Sequence, residues 1–249
     1  MKNILSRHPY AWKARIGLIV PSTNTVNEPE FWAMAPRGTG IYTSRVLAEG
    51  PSDERAFVRM ENELELAVRQ LATAEVDILA YGCTTGSIFC ADEGLVKKMV
   101  AIAGVPAITT AGSVVLALRR LGVRRIAVGT PYNELLNQHE RQYLEGAGFE
   151  VTELSSLSLP ANCERRRAIG RISTDAVRRL AMSIDSEHAE ALFLSCTNLA
   201  TLPIISDLER RLNKPIVTSN QATFWNCSRI LGLDVRCENW GRLFMEEPY

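Results

Sequence analysis

Short apolar runs alternate along this chain with longer stretches in which apolar residues return every three or four positions. Residues 16–21, 77–81 and 107–110 are runs of the first kind. Each is closed by turn-forming or small polar residues, and each predicts a buried strand. Residues 53–74 carry Phe57, Met60, Leu64, Ala67, Val68 and Leu71 at helical spacing, with Asp53 as the N-cap after Pro51-Ser52. Further helices are expected from about 93 to 104 and over 114–121, where Gly122 stops the second. The second half repeats the cycle: strand 126–129, helix 133–147 closed by Gly148, strand 150–154, helix 174–183, strand 191–195, a helix around 204–212, strand 216–218 and helix 223–231. Strands that alternate with helices in this way predict parallel sheets.

The repetition extends to the residues themselves. Arg15-Ile16-Gly17-Leu18-Ile19-Val20-Pro21 returns as Arg125-Ile126-Ala127-Val128-Gly129-Thr130-Pro131. Val76-Asp77-Ile78-Leu79-Ala80-Tyr81-Gly82-Cys83-Thr84 returns as Ala189-Glu190-Ala191-Leu192-Phe193-Leu194-Ser195-Cys196-Thr197. Val105-Pro106-Ala107-Ile108-Thr109-Thr110 returns as Lys214-Pro215-Ile216-Val217-Thr218-Ser219. Three segments in one order, each about 110 residues from its copy, indicate an internal duplication and hence two lobes. No Gly/Ser-rich or Pro-rich linker parts them, so close contact is expected. Each half sets one cysteine just past an apolar strand. Halves that face each other bring the two thiols to opposite sides of one cleft.

Composition narrows the chemistry. The 249 residues are 46% apolar and 22% charged, with 28 Lys+Arg against 28 Asp+Glu. That balance carries no signature of nucleic acid or of an anionic membrane surface as partner. No apolar run reaches membrane-spanning length, and residues 1–14 are polar and mixed, unlike a secretory signal; a cytoplasmic location is expected. Six cysteines without Cys-x-x-Cys spacing and three scattered histidines suit neither a disulfide framework nor zinc, so no metal is expected. Neither G-x-G-x-x-G nor a P-loop lysine occurs, which argues against a dinucleotide or a nucleoside triphosphate. Cys90 and Cys227 read as packing residues, and Cys237 as packing or surface.

Ligands of open parallel sheets sit beyond the carboxyl ends of the strands. Asn24, Cys83, Thr110, Tyr132, Cys196 and Ser219 all fall there. A cysteine leading into a helix N-terminus is expected to have a depressed pKa, because the free N–H groups favour thiolate. Thr84-Thr85 and Thr197-Asn198 add donors suited to a carboxylate, without need of an arginine. One such cysteine alone is as readily a packing residue; two at matched positions of a repeat favour chemistry. Asn24 either holds a turn or meets a ligand. Tyr132 is either a surface or interface aromatic or a hydrogen-bond donor to substrate. Asn162 reads as a solvated loop residue, Arg165-Arg166-Arg167 as a solvated face or loop or a subunit contact, and Phe224 and Trp225 as core or dimer contact.

Val20-Pro21-Ser22-Thr23-Asn24-Thr25, Gly82-Cys83-Thr84-Thr85-Gly86, Thr130-Pro131-Tyr132, Ser195-Cys196-Thr197-Asn198 and Ser219-Asn220-Gln221-Ala222 together resemble the aspartate/glutamate racemase superfamily. Within it they resemble the maleate cis–trans isomerase branch, with arylmalonate decarboxylases and ectoine-utilisation racemase-like proteins as relatives. The resemblance implies an α/β fold of two Rossmann-like lobes with parallel sheets related by a pseudo-twofold axis. Residues 1–111 plus 219–249 would form the first lobe and 112–218 the second, with the active site between them. It implies no cofactor, a small carboxylate substrate, and a homodimer or higher homo-oligomer. Cys83 resembles the nucleophile and Cys196 the opposing proton-exchanging thiol. Asn24, Tyr132 and Asn162 match positions that hold substrate carboxylates, and Thr84, Thr85 and Thr197 would add donors. Decarboxylases of the family keep only the second cysteine, with glycine at the first place, so two cysteines argue against decarboxylation. Racemases usually carry an acidic residue in the first strand-end loop and a histidine after the second cysteine; Ser22-Thr23-Asn24 and Thr197-Asn198-Leu199 stand there instead. The expected activity is isomerisation of a small unsaturated dicarboxylate. Two-cysteine racemisation or epimerisation of an α-substituted carboxylate and non-catalytic binding of a small carboxylate are the alternatives.

Overall fold

In a computed structural model that describes residues 8–49, 54–90, 92–157, 159 and 165–245, the two halves build two separate sheets. The first half runs β1 (Ala14–Pro21), α1 (Asn27–Met34), β2 (Thr39–Val46), α2 (Glu54–Asn62), α3 (Leu64–Thr73), β3 (Ile78–Tyr81), α4 (Thr84–Phe89), α5 (Asp92–Ala103), β4 (Ala107–Thr109) and α6 (Thr110–Arg120). The second runs β5 (Arg125–Thr130), α7 (Glu134–Gly146), β6 (Glu150–Ser156), α8 (Arg165–Ile169), α9 (Thr174–Ile184), β7 (Ala191–Leu194), α10 (Ile205–Leu212), β8 (Ile216–Thr218) and α11 (Ser219–Ile230). The sheets have the orders β2-β1-β3-β4 and β6-β5-β7-β8, and every pairing is parallel. Each is thus second–first–third–fourth within its half, so the duplication read from the residues is also a duplication of topology. β3 and β7 are buried at every residue. Helices cover both their faces, which is why their sequences are unbroken apolar runs rather than alternations.

Three local departures from the expected elements have physical causes. The helix expected over 53–74 is two helices, parted at Glu63. The Glu63 carboxylate accepts the backbone N–H of Leu47 at 2.5 Å, a tertiary tie that the helical period does not register. Its expected cap, Asp53, lies outside the described residues. The helices α6 and α11 begin at Thr110 and Ser219, four residues before the apolar spacing starts. There Thr109 and Thr218 cap the first turns through their hydroxyls. Thr218 also forms a capping box with Gln221.

α6 and α11 pack on each other between the sheets through Thr110–Thr223 and Ser113–Asn226 hydrogen bonds of 3.1 Å. Their apolar faces reach across. Val114 and Leu118 of α6 share a core with Ile126, Val128 and Phe193 of the second sheet. Phe224 and Cys227 of α11 share one with Ile16, Leu18 and Ile78 of the first. Phe224 and Cys227 are therefore core residues, and Trp225 is half-buried against both clusters. A third cluster holds Tyr81, Cys83, Tyr132, Leu136, Cys196 and Leu199, joining the two halves beneath the carboxyl ends of β1, β3, β5 and β7.

Candidate active site

Cys83 follows β3 through Gly82, where the chain passes too close to α1 for any side chain. A Cβ there would stand 2.4 Å from Asn27 Nδ2. Cys83 is the N-cap of α4, in extended conformation, and its Sγ accepts the Gly86 N–H at 3.3 Å, with Thr85 Oγ1 at 3.9 Å. Cys196 follows β7 with φ 118, in the left-handed region that residues other than glycine seldom occupy. Its N–H donates to Ser219 Oγ at 3.0 Å, and the Asn198 N–H and the Tyr132 hydroxyl are the groups that favour its ionised form.

The two strand ends are tied directly. Asn24 Nδ2 donates to Thr197 Oγ1 and Thr197 Oγ1 to the Gly82 carbonyl, both at 3.0 Å. Thr84 Oγ1 and Ser219 Oγ lie 2.9 Å apart. Asn24 Oδ1 meanwhile accepts the N–H groups of Val26 and Asn27, so this side chain holds the turn into α1 and touches the second half at once. The result is one cavity of about 70 Å³ onto which Cys83 and Cys196 both open, with Asn24, Thr84, Thr85, Tyr132 and Thr197 in its wall. On a scale of about 10–15 Å³ per water, it suits a molecule of a few heavy atoms. Ala48, Phe57, Met60, Leu136 and Ile169 give it an apolar side. Asn162, with Pro160 and Cys163 of its loop, lies outside the described residues.

Two expectations are overturned. The arginine run is not wholly solvated: Arg166 lines the cavity, its guanidinium 5.8 Å from the Phe57 ring centroid. Asn198 holds it there, donating to the Arg166 carbonyl at 3.0 Å while accepting the Thr25 N–H at 2.9 Å. At Gly170, just past α8, a Cβ would meet Thr25 Oγ1 at 2.6 Å, so the close approach of this turn depends on glycine. A run of three like charges reads as solvated because nothing in the sequence marks which one a distant loop will turn inward.

Nor are the thiols depressed. Burial removes water from both, and that outweighs the N–H donors at the strand ends. Cys196 is pushed up to about 12 by burial. Cys83 also rises through burial, but the Gly86 N–H, the Thr85 hydroxyl and the positive charge of Arg166 all oppose it. Burial likewise keeps Tyr132 a neutral phenol, able to donate. Among the described cysteines none is in a disulfide; Cys227 is buried as a packing residue, while Cys90 and Cys237 are half-buried. No group of three or more His, Cys, Asp or Glu among the described residues is placed to hold a metal ion.

A sequence profile of the family described as arylmalonate decarboxylase matches residues 16–244. The maleate isomerase of Geobacillus stearothermophilus is 29% identical over 246 residues, covering 92% of this chain and 96% of that one. The arylmalonate decarboxylase of Bordetella bronchiseptica is 33% identical over 146 residues, 57% of this chain and 59% of its own. Among solved structures, a serine variant of the Nocardia farcinica maleate cis-trans isomerase with a covalently bound succinylcysteine intermediate superposes with a TM-score of 0.84. It is 24% identical and covers 94% of this chain and 99% of that one.

Proposed function

This chain belongs to the arylmalonate decarboxylase family, and from that membership we propose that it is a cofactor-independent cis–trans isomerase of maleate type, working through two cysteines. The observation that carries this reading is the meeting of Cys83 and Cys196, one from each half, on one small cavity. The full-length likeness to a curated maleate isomerase supports it, as does the succinylcysteine held by the Nocardia farcinica relative.

Cys83, the thiol whose ionisation is opposed by burial but aided by Arg166, is the nucleophile. Its thiolate adds to one olefinic carbon of the cis diacid. The π electrons move into the carboxylate at the far end as an enediolate. Thr84, Thr85 and the second amide hydrogen of Asn24 are the donors near that charge, with Thr197 holding Asn24 in place while its own hydroxyl hydrogen goes to the Gly82 carbonyl, and Arg166 is the counter-ion for a substrate bearing two carboxylates. Cys196 passes its proton to the carbon bearing the developing charge. A succinyl thioether remains, whose central bond is single and turns. Return of that proton to Cys196 and departure of the Cys83 thiolate release the trans diacid. Covalent addition thus replaces one high barrier by two lower ones.

The test follows conversion of maleate to fumarate by ultraviolet absorbance and weighs the protein by mass spectrometry. Wild type is expected to turn over. Cys83→Ser is expected to be inactive and adduct-free, and Cys196→Ser inactive while trapping a succinyl adduct on Cys83, its carbon protonated slowly from water and not deprotonated again for want of the thiolate. Turnover by either variant at the wild-type rate refutes the scheme. Solvent deuterium entering the α-position of an amino or hydroxy acid, with maleate untouched, would instead identify a racemase.

The reading also makes the protein a cytoplasmic homodimer or larger assembly. Tyr10, 81% exposed, and Trp32, 51% exposed, offer a surface for association, and the mass in gel filtration with light scattering tests it. No helix among the described residues is long and apolar enough to cross a membrane.

A further inference from the structure

The inward face of α7 is formed by Leu136, Asn137, Glu140 and Leu144. Glu140 stands where the helical period calls for an apolar residue, and it is 1% exposed. A buried carboxyl without a cation is costly unless it is protonated or hydrogen-bonded. Here one oxygen, Oε1, lies 2.5 Å from Ser195 Oγ, and the other, Oε2, has no partner. Burial, opposed only by that hydroxyl, pushes the acid up to about 8. At neutral pH Glu140 is therefore mostly the neutral acid.

Ser195 Oγ is also 3.5 Å from the Tyr132 hydroxyl, and Tyr132 shares the cavity wall with Cys196, whose ionised form its hydroxyl favours. Ser195 has a single hydroxyl hydrogen, so it cannot donate to Glu140 and Tyr132 together. With Glu140 protonated, the hydrogens point from the carboxyl to Ser195, to Tyr132 and to Cys196. With Glu140 ionised, all of them reverse. The ionisable groups that act on this row are Glu140 itself, Tyr132, Cys196 and, beyond Cys196, Cys83. His139 turns instead onto Phe89 at 4.4 Å, and Arg141 pairs with Glu145 at 3.4 Å.

We propose that Glu140 is the proton reservoir of this site, a positioning residue that restores the proton of Cys196 through the hydroxyls of Tyr132 and Ser195. The role rests on the isomerase reading. When Cys196 gives its proton to the substrate carbon, a thiolate would be left in a buried pocket. Tyr132 passes its proton to that sulfur, Ser195 passes one to Tyr132, and Glu140 passes one to Ser195. The negative charge that began on Cys83 now rests on the Glu140 carboxylate. The thioether is thereby held long enough for its central bond to turn. The same shifts run backwards on product release, and no proton is gained or lost over the cycle.

Glu140→Gln keeps the size and the acceptor for Ser195 but cannot ionise; Ser195→Ala removes the middle hydroxyl without changing charge. Each is expected to lower kcat at least tenfold with KM nearly unchanged. The double variant is expected to be no slower than the slower single, as members of one chain are non-additive. The wild-type pH profile should show an ionisation near 8 that Glu140→Gln lacks, and infrared spectra at neutral pH should show an un-ionised carboxyl band that the same variant loses. Additive losses, wild-type rates in both singles, or no such band overturn the proposal. A wild type that makes no fumarate would sink the isomerase reading instead. The reservoir is then judged on alkylation of Cys196 by iodoacetamide, followed by peptide mass spectrometry. A limb near pH 8 in wild type that vanishes in both variants supports it, and one pH dependence shared by all three proteins overturns it.

Discussion

Replacing Glu140 by glutamine should change how stability depends on pH, by an amount the burial of this one group sets. In the unfolded chain its carboxyl titrates at the ordinary value of 4.5; in the folded protein burial raises it to about 8. Below 4.5 both states hold the proton and the acid costs the fold nothing. Between the two values the unfolded chain has released a proton that the native state retains, so stability falls as pH rises. At about 1.4 kcal/mol per pH unit, the loss across that interval totals about 5 kcal/mol. Above about 8 both states are ionised and the loss stays constant. Glu30, Asp92 and Glu209 are also raised by burial, but they are present in both proteins and cancel in the difference. Urea unfolding of wild type and Glu140→Gln from pH 4 to pH 9 should therefore give curves that start together. They should separate steadily in favour of the variant, by about 5 kcal/mol at the alkaline end. In thermal melts a protein of this size should show a gap of roughly 10–20 °C. Curves that stay parallel from pH 5 to pH 8 would mean that Glu140 ionises normally inside the protein and that its burial does not hold the proton.

Arg166→Gln removes the cation beside Cys83; it should raise KM for a dicarboxylate by about 10–100-fold, the worth of one charge-assisted hydrogen bond, and move alkylation of Cys83 to higher pH. Steady-state kinetics and iodoacetamide titration read both, and an unchanged KM would remove Arg166 from the site. Gly82→Ala places a Cβ 2.4 Å from Asn27 Nδ2; overpacking of this kind costs about 1–3 kcal/mol, read as a lower urea midpoint, together with lost turnover because Cys83 is displaced. Cys196 sits at φ 118, so Cys196→Gly should be more stable than Cys196→Ala by about 1–2 kcal/mol, although it is the smaller side chain. The opposite order would show that the backbone there is not strained.

Much of this arrangement is legible in the residues. The duplicated strands are apolar on both faces, so their period and their repetition mark them without help from tertiary structure. What escaped is what depends on neighbours. α1 and β2 carry no clear period because Pro29, Pro36 and Gly38 break the segment, and because β2, at the edge of its sheet, is only partly buried. α4, at six residues, is too short to show a helical period. The break at Glu63 depends on a hydrogen bond from a residue 16 positions away. The same holds for the site. Cys83, Cys196 and Tyr132 follow from strand ends and repetition. Arg166 enters only because Asn198 and Thr25 hold its backbone. Glu140 has a weak signal, an acid at an inward helical position beside Leu136 and Leu144, and its meaning needs Ser195, just past the end of β7.

A duplicated fold poses a chemical difficulty. Two equivalent thiols at a pseudo-symmetric site would have equal claims to be the nucleophile, yet addition needs one as thiolate and the other as thiol. The surroundings break that equality. Cys83 caps a helix in relaxed, extended backbone and has Gly86, Thr85 and the Arg166 charge to stabilise its anion. Cys196 stands on strained backbone, faces Tyr132, and has the carboxyl of Glu140 behind it, a group whose ionised form raises the cost of a second anion. One positive group lies on one side and one latent negative group on the other. The Arg166 charge draws the shared negative charge toward Cys83 before substrate arrives, while the hydroxyls of Tyr132 and Ser195 provide the way for it to cross to Glu140 when the new bond to sulfur forms. The duplication supplies two thiols in register across the cavity, and the residues that are not duplicated, Arg166, Tyr132 and Glu140, assign each thiol its role.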